Sequence, residues 1–155
     1  MSERAPGNSA RPLVAAGVLF FDEHGRVLLV DPSYKPGWEI PGGYVEAGES
    51  PLEGCVREVK EELGIAPPIG GPLVIDWAPH PDQGDKLLFV FDGGLLDPGL
   101  RGQIRLAADE LTDWRFCGSG ELDDLLIPRL ARRVHQAVAA RQAGQARYLQ
   151  HGALA

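Results

Sequence analysis

Two cysteines in 155 residues are too few for a disulfide framework or a four-cysteine zinc site. Cys55 and Cys117 read instead as small buried residues in a reducing compartment. No apolar run approaches the length of a membrane span, and the opening MSERAPGNSA lacks the apolar core of a signal peptide. The expected location is therefore the cytoplasm, with no membrane partner. Basic residues are also scarce: 15 Lys and Arg against 22 Asp and Glu leave a net charge of -7. That balance argues against a nucleic-acid polymer as partner, because backbone binding needs clustered cations. It leaves room for a small phosphorylated substrate, since a bound metal ion inverts the local field. Internal repeats, a second-domain boundary and a DNA-binding helix-turn-helix are all missing. At 44% hydrophobic and 24% charged, the composition is that of one globular domain with a substantial core. Residues 1–11 read as a flexible lead, residues 12–155 as a single domain, and the polar tail from Gly144 as frayed.

What the chain does have is concentrated in Gly43 to Ile65, GYVEAGESPLEGCVREVKEELGI. Its first half is a glycine-bearing loop and its second half a short helix. Ser50 is a good N-cap, Pro51 sits at N1 and Glu53 at N3, so Ser50 and Glu53 can close a capping box. Gly64 is placed to be the left-handed residue past the helix end. Leu52, Cys55, Val56, Val59 and Leu63 form one apolar stripe at helical spacing. Glu58, Glu61 and Glu62 project from a neighbouring arc. Like charges at Glu58 and Glu62 cost about 0.2–0.5 kcal/mol on an open helix. Glu61 and Glu62 in the last turn oppose the helix dipole by about 0.3–1 kcal/mol. Arg57, pairing with Glu61, relieves part of this. A hard divalent cation would relieve nearly all of it, and Mg2+ takes one or two carboxylates while leaving positions open for water and phosphate oxygens. The plain alternative is a solvated acidic face.

The spacing favours the cation. The stretch fits G-x5-E-x7-R-E-U-x-E-E-x-G-U, with U aliphatic, through Gly43, Glu49, Arg57, Glu58, Val59, Glu61, Glu62, Gly64 and Ile65. Trp38-Glu39-Ile40-Pro41-Gly42 leads into it. In both features the chain resembles the Nudix hydrolases, of the MutT-like kind. The resemblance implies the Nudix fold, an α/β mixed sheet sandwiched between helices. It also implies a hydrolase of phosphoanhydride bonds that depends on Mg2+, with Mn2+ as a substitute, and it is compatible with a homodimer. By the same resemblance Gly43, through its carbonyl, with Glu58, Glu61 and Glu62 would hold the metal. Glu61, Arg57 and Glu58 would carry catalysis, with Glu61 a ligand or a base and Arg57 orienting a glutamate. Glu49 would support the metal's water shell and the substrate. Some members take the base from a later loop, where Glu110 and Asp109 stand here; both also read as surface acids.

The rest of the chain fits a layered α/β domain. Val14–Phe21 and Val27–Val30 read as a strand hairpin, and Trp38–Ile40 as a short strand. Leu73–Trp77 and Leu87–Phe91 read as strands flanking the polar loop Ala78–Asp85, a natural substrate rim. Residues 93–102 read as irregular, while Gln103–Ala107 and Trp114–Cys117 read as edge strands. Ser119–Leu126 reads as a short helix. A longer one starts at Pro128, with Leu130, Val134, Ala137 and Val138 inward and Arg129, Arg132, Arg133 and Arg141 outward. Trp38 reads as a base-stacking residue or as core, Trp77 as core or pocket, and Lys35 as a phosphate contact or a solvated lysine. The expected substrate is a nucleoside diphosphate linked to another group, or a nucleoside triphosphate. The alternative is a catalytically inactive ligand-binding or regulatory module, although no box residue is lost. ADP-ribose-cleaving members often carry a proline roughly sixteen residues past the box, where Pro81 falls. The chain's 13 prolines weaken that pointer. The run S-Q-P-W-P of NADH-cleaving members is absent downstream of the box.

Overall fold

The computed structural model describes residues 3–4 and 6–155, so the expected flexible lead over residues 1–11 lies partly outside the described residues. Strands β1 (Leu13–Phe21) and β2 (Val27–Pro32) form the expected hairpin, with Phe21 opposite Val27. Strand β3 (Gly42–Tyr44) pairs antiparallel with the start of β1. Strand β4 (Pro72–Trp77) pairs antiparallel with β5 (Lys86–Leu95), and β5 runs parallel to β1. Strand β6 (Leu111–Cys117) pairs with β2, and the sheet closes at its other edge with β7 (Arg147–Gln150) and β8 (Ala153–Leu154). The order is β6-β2-β1-β5-β4-β7-β8, with β3 beside β1.

Alternation along β1 supplies both cores. Val18 and Phe20 point to a layer with Cys55, Val59 and Leu63 of helix α1 (Pro51–Leu63). Leu19 and Phe21 point the other way. They share a cluster with Leu122 of α3 (Ser119–Leu125) and with Leu130, Val134 and Ala137 of α4 (Pro128–Ala143). A mixed sheet thus lies between helical layers, as expected. No described helix is long and apolar enough to cross a membrane. Both cysteines are buried and unpaired, and burial pushes the Cys55 thiol up to about 12, which keeps it unreactive.

Helix α1 keeps its local grammar. Ser50 accepts from the Glu53 amide, the Glu53 side chain accepts from the Ser50 amide, and Gly64 ends the helix at φ 69°. Its buried stripe differs from the expected one. Leu52 and Val56 are exposed, whereas Gly54 and Glu62 are buried with Cys55, Val59 and Leu63. The sheet meets the helix on an arc rotated toward the carboxylates.

Four further expectations are corrected. Trp38–Ile40 is no strand, because only Glu39 pairs, exchanging both backbone bonds with Val30 before Pro41 ends the run. Gln103–Ala107 is no strand either. Its Arg105 and Ala107 amides donate to the Leu63 and Glu62 carbonyls at the end of α1, and residues 98–101 before it form the short helix α2 (Pro98–Arg101). Arg133 is buried on α4, with its Nε donating to Asp76 at 2.7 Å. The tail from Gly144 is not frayed: β7 runs parallel to β4 and buries Leu149.

Candidate active site

The glycine pair before α1 sets the floor of the site. Gly42 holds φ 147°, and a Cβ there would sit 2.3 Å from the Ala16 carbonyl oxygen. At Gly43 a Cβ would sit 2.6 Å from the Glu58 carboxylate carbon. The backbone of β3 therefore runs directly against the carboxylate of Glu58. The two neighbours should respond differently to alanine. Gly42→Ala forces strained backbone into backbone and is expected to cost on the order of 3 kcal/mol, read as a fall in the unfolding midpoint. Gly43→Ala meets only the end of a side chain, so the fold should survive while Glu58 swings away. At least a tenfold fall in turnover with little change in midpoint is the expected result.

Arg57 organises the outer acids. Its Nη2 and Nε donate to Glu49 at 2.7 and 3.0 Å, and its Nη1 donates to Glu58 at 2.9 Å and to Glu61 at 3.3 Å. Nη2 also reaches the Tyr44 carbonyl at 3.1 Å, tying the helix to β3. The hydrogen bonds from Arg57, with that from the Glu46 amide, hold the Glu49 carboxyl down at about 2. The same contact to Glu49 holds the Arg57 guanidinium above its usual range. Glu49 is thus committed to Arg57.

Glu62 is the unusual acid. It is 6% exposed, and its Oε1 accepts from the Gly42 amide at 3.0 Å. Burial pushes its carboxyl up to about 8, and the Glu58 charge beside it adds to the rise. A carboxyl whose folded pKa exceeds its unfolded one stabilises the fold at low pH and loses that contribution as pH climbs through the folded value. In a chelator, the metal-free protein should therefore lose stability from about pH 4.5 towards 8, by about 1.4 kcal/mol per pH unit at the steepest. Glu62→Gln should remove that slope. Unfolding midpoints of both proteins across this range check it.

Two clefts meet at this floor. The acidic one, about 460 Å³, is lined by Glu39, Glu46, Glu58, Glu62 and Glu110 with Tyr34 and Tyr44, and no Lys or Arg. Glu110 arrives because residues 107–111 turn tightly after Ala107 docks on Glu62, with the Glu110 and Leu111 amides donating to the Ala107 carbonyl. Asp109 does not line the acidic cleft, and its carbonyl accepts from Ser33 Oγ. Glu61 is also off this lining, held on the outer arc by Arg57. Among the described residues no three His, Cys, Asp or Glu side chains already converge on one point. The donor chemistry still fits a hard divalent cation, which needs only one or two carboxylates before water and phosphate complete its shell. Glu62 is a buried carboxyl beside the half-buried Glu58, and its ionisation calls for a counter-charge.

The second cleft, about 400 Å³, opens beside the first and shares Tyr34, Glu39, Ile40, Gly42, Gly43 and Tyr44 with it. The Ala78–Asp85 loop contributes Ala78, Pro79 and His80 to its lining. Lys35 lines it while paired to Glu39. Trp38 lines neither cleft; it packs on the α4-side core, with the Arg115 guanidinium 5.0 Å over its ring. Trp77 is likewise outside both linings. The exposed aromatics at the site are Tyr34 and Tyr44, which the sequence reading passed over. Tyr44 could have been found from its place beside Gly43 in the motif. Tyr34 lies in a loop with no periodic signal.

The NUDIX domain profile matches residues 11–140. An RNA pyrophosphohydrolase of Novosphingobium aromaticivorans is 29% identical over 156 aligned residues, covering 89% of this chain and 95% of that protein. An ADP-ribose pyrophosphatase of Methanocaldococcus jannaschii is 33% identical over 86 residues, about half of each chain. The crystal structure of a MutT protein from Methanosarcina mazei Go1 superposes with a TM-score of 0.69 at 23% identity, covering 88% of this chain and 99% of that one. The family profile spans most of the chain and the sheet between helical layers is shared, so the protein belongs to the Nudix family of hydrolases.

Proposed function

We propose that the protein is a Mg2+-dependent pyrophosphohydrolase acting on a small nucleotide, either a nucleoside diphosphate linked to another group or a nucleoside triphosphate. Nudix hydrolases use divalent metal ions, and the observation that carries this reading is the buried Glu62 carboxyl beside Glu58 in a cleft whose charged lining residues are all glutamates. Glu58 and Glu62 would hold the cation, with the Gly43 backbone against them. When bound, the cation neutralises the diphosphate and lowers the pKa of the attacking water. Arg57 holds Glu58 in place through the 2.9 Å contact and keeps Glu61 and Glu49 out of the cleft. Glu110 lines the same cleft and is the acid available to take the proton from water, whereas Glu61 would first have to leave Arg57. Tyr34 and Tyr44, lining both clefts, are suited to stack on a base.

The relatives' names point to different substrates, from RNA to ADP-ribose. The net charge of -7 favours a small substrate over a polymer. The test is a screen of nucleoside triphosphates, oxidised nucleotides, nucleotide sugars, ADP-ribose and dinucleoside polyphosphates with Mg2+ or Mn2+. A 5′-triphosphorylated RNA and an isoprenoid diphosphate are included for contrast. Cleavage within the nucleotide group supports the proposal. Turnover of only the RNA or only the isoprenoid diphosphate overturns its substrate part.

A further inference from the structure

The two adjoining clefts carry opposite charge. The acidic one has five glutamates and no Lys or Arg. The other gathers five of the chain's 15 Lys and Arg, against Glu39 alone, in a protein of net charge -7. Two of those five are neutralised: Lys35 pairs with Glu39, and Arg133 with the buried Asp76. The other three are not paired with any carboxylate among the described residues. Arg132 donates to the His151 carbonyl at 3.2 and 3.3 Å, a neutral acceptor that fixes its guanidinium without cancelling its charge. Lys86 lies 5.2 Å over the Tyr44 ring, and Arg129 is exposed on the first turn of α4, its side chain without a hydrogen-bond or ion-pair partner among the described residues.

The wall that carries Arg129 and Arg132 is built, and Lys86 faces the same cleft from the start of β5. The turn at His151 and Gly152 packs on the start of α4, with the Gly152 amide donating to Asp76 at 3.0 Å and Arg133 donating to the same carboxylate at 2.7 Å. Asp76 thereby pins β7, β8 and α4 together behind the cleft. Three uncompensated cations in a concave site favour an anion there, and field lines focus in such a cleft. Guanidinium forks match phosphate oxygens better than any neutral group does.

We infer that the basic cleft is a binding site for a second phosphate of the substrate, carried on the nucleoside and remote from the scissile diphosphate. The diphosphate and its cation occupy the acidic cleft, the base lies between Tyr34 and Tyr44, and the remote phosphate meets Arg129, Arg132 and Lys86. This rests on the nucleotide reading above and narrows it to nucleotides bearing an extra phosphomonoester.

The test uses ligands without an anhydride, so it does not depend on turnover. Calorimetry compares nucleoside 5′-monophosphates with the matching 3′,5′- and 2′,5′-bisphosphates, across adenine, guanine, cytosine and uracil. At least one bisphosphate should bind tenfold or more tightly than its monophosphate, with the gap shrinking as salt rises. In the Arg129→Gln/Lys86→Gln double variant the gap should fall below threefold. Arg129 is exposed and Lys86 half-buried at the start of β5, so an unfolding curve is run beside the calorimetry to show that the variant is folded. Equal binding of each pair, no binding of any, or an unchanged gap in the variant overturns the inference. If the substrate screen fails while the bisphosphate preference holds, the hydrolytic reading falls and the anion site stands. If the screen succeeds on nucleotides and the preference is absent, only the anion site falls.

Discussion

Glu58→Gln and Glu62→Gln are each expected to lower kcat by two orders of magnitude or more while the protein stays folded. Each carboxylate would stabilise charge that develops only as the phosphoanhydride breaks, and losing such a group commonly costs about 10²–10³ in rate. Stability should move the opposite way. The crowded pair costs the metal-free protein free energy at neutral pH, since burial and the Glu58 charge both disfavour ionised Glu62. Glutamine at 62 keeps an acceptor for the Gly42 amide, which now lies 3.0 Å from Oε1, and removes the charge. The metal-free Glu62→Gln protein should therefore melt higher than wild type at pH 8 and near wild type at pH 5. Loss of activity with loss of fold would mean that the pair is structural. Retained activity with a raised midpoint would mean that it is a plain acidic face.

Asp76→Ala is expected to produce the largest stability loss of any single replacement proposed here. Asp76 is fully buried in β4, and its two oxygens accept from Arg133 Nε and the Gly152 amide. Removing it leaves a buried guanidinium without a counter-charge, which typically costs about 3–5 kcal/mol. For a domain of this size that is roughly 6–20 °C in the unfolding midpoint. The damage should concentrate at one edge, because the same carboxylate joins α4 to the turn after β7. Hydrogen exchange should show residues 147–154 losing protection before the rest of the sheet. Asp76→Leu combined with Arg133→Met should recover much of the loss, since an apolar pair of similar volume often replaces a buried ion pair at little cost. A midpoint within 2 °C of wild type for Asp76→Ala would contradict this account of the edge.

The local features of the motif were legible because their causes are local. The capping box, the proline at N1 and the left-handed Gly64 each follow from neighbours within a turn, and all stand as read. Strands with long apolar runs, β1 and the first part of β5, were equally plain, whereas residues 93–95, read as irregular, extend β5 to Leu95 by pairing with the end of β1. What failed depends on partners distant in sequence. The stripe on α1 carried five apolar residues, but the sheet approaches at an angle that buries Glu62 and exposes Leu52 and Val56. Arg133 looked like one more solvated arginine because nothing near it reveals Asp76, 57 positions away. Strand β7 has four residues and one buried side chain, Leu149, too short a signal to distinguish from a tail. Within the site, Glu58, Glu62 and Glu110 line one cleft, while Glu61 and Asp109 do not. Separating Glu110 from Asp109 required knowing that the Ala107 amide docks on the Glu62 carbonyl, which sets the turn that follows. The cationic cleft was invisible in composition because its members come from three separate segments of an acidic chain.

The most direct measurement is phosphate or pyrophosphate release from a pooled nucleotide panel, coupled where needed to a phosphatase, with Mg2+ and again in chelator, for wild type and Glu58→Gln. Metal-dependent release by wild type that falls at least a hundredfold in Glu58→Gln is the predicted result. Release that is unaffected by chelator, or equal in the two proteins, would contradict the assignment of the Glu58–Glu62 cleft as the place where the anhydride is cleaved.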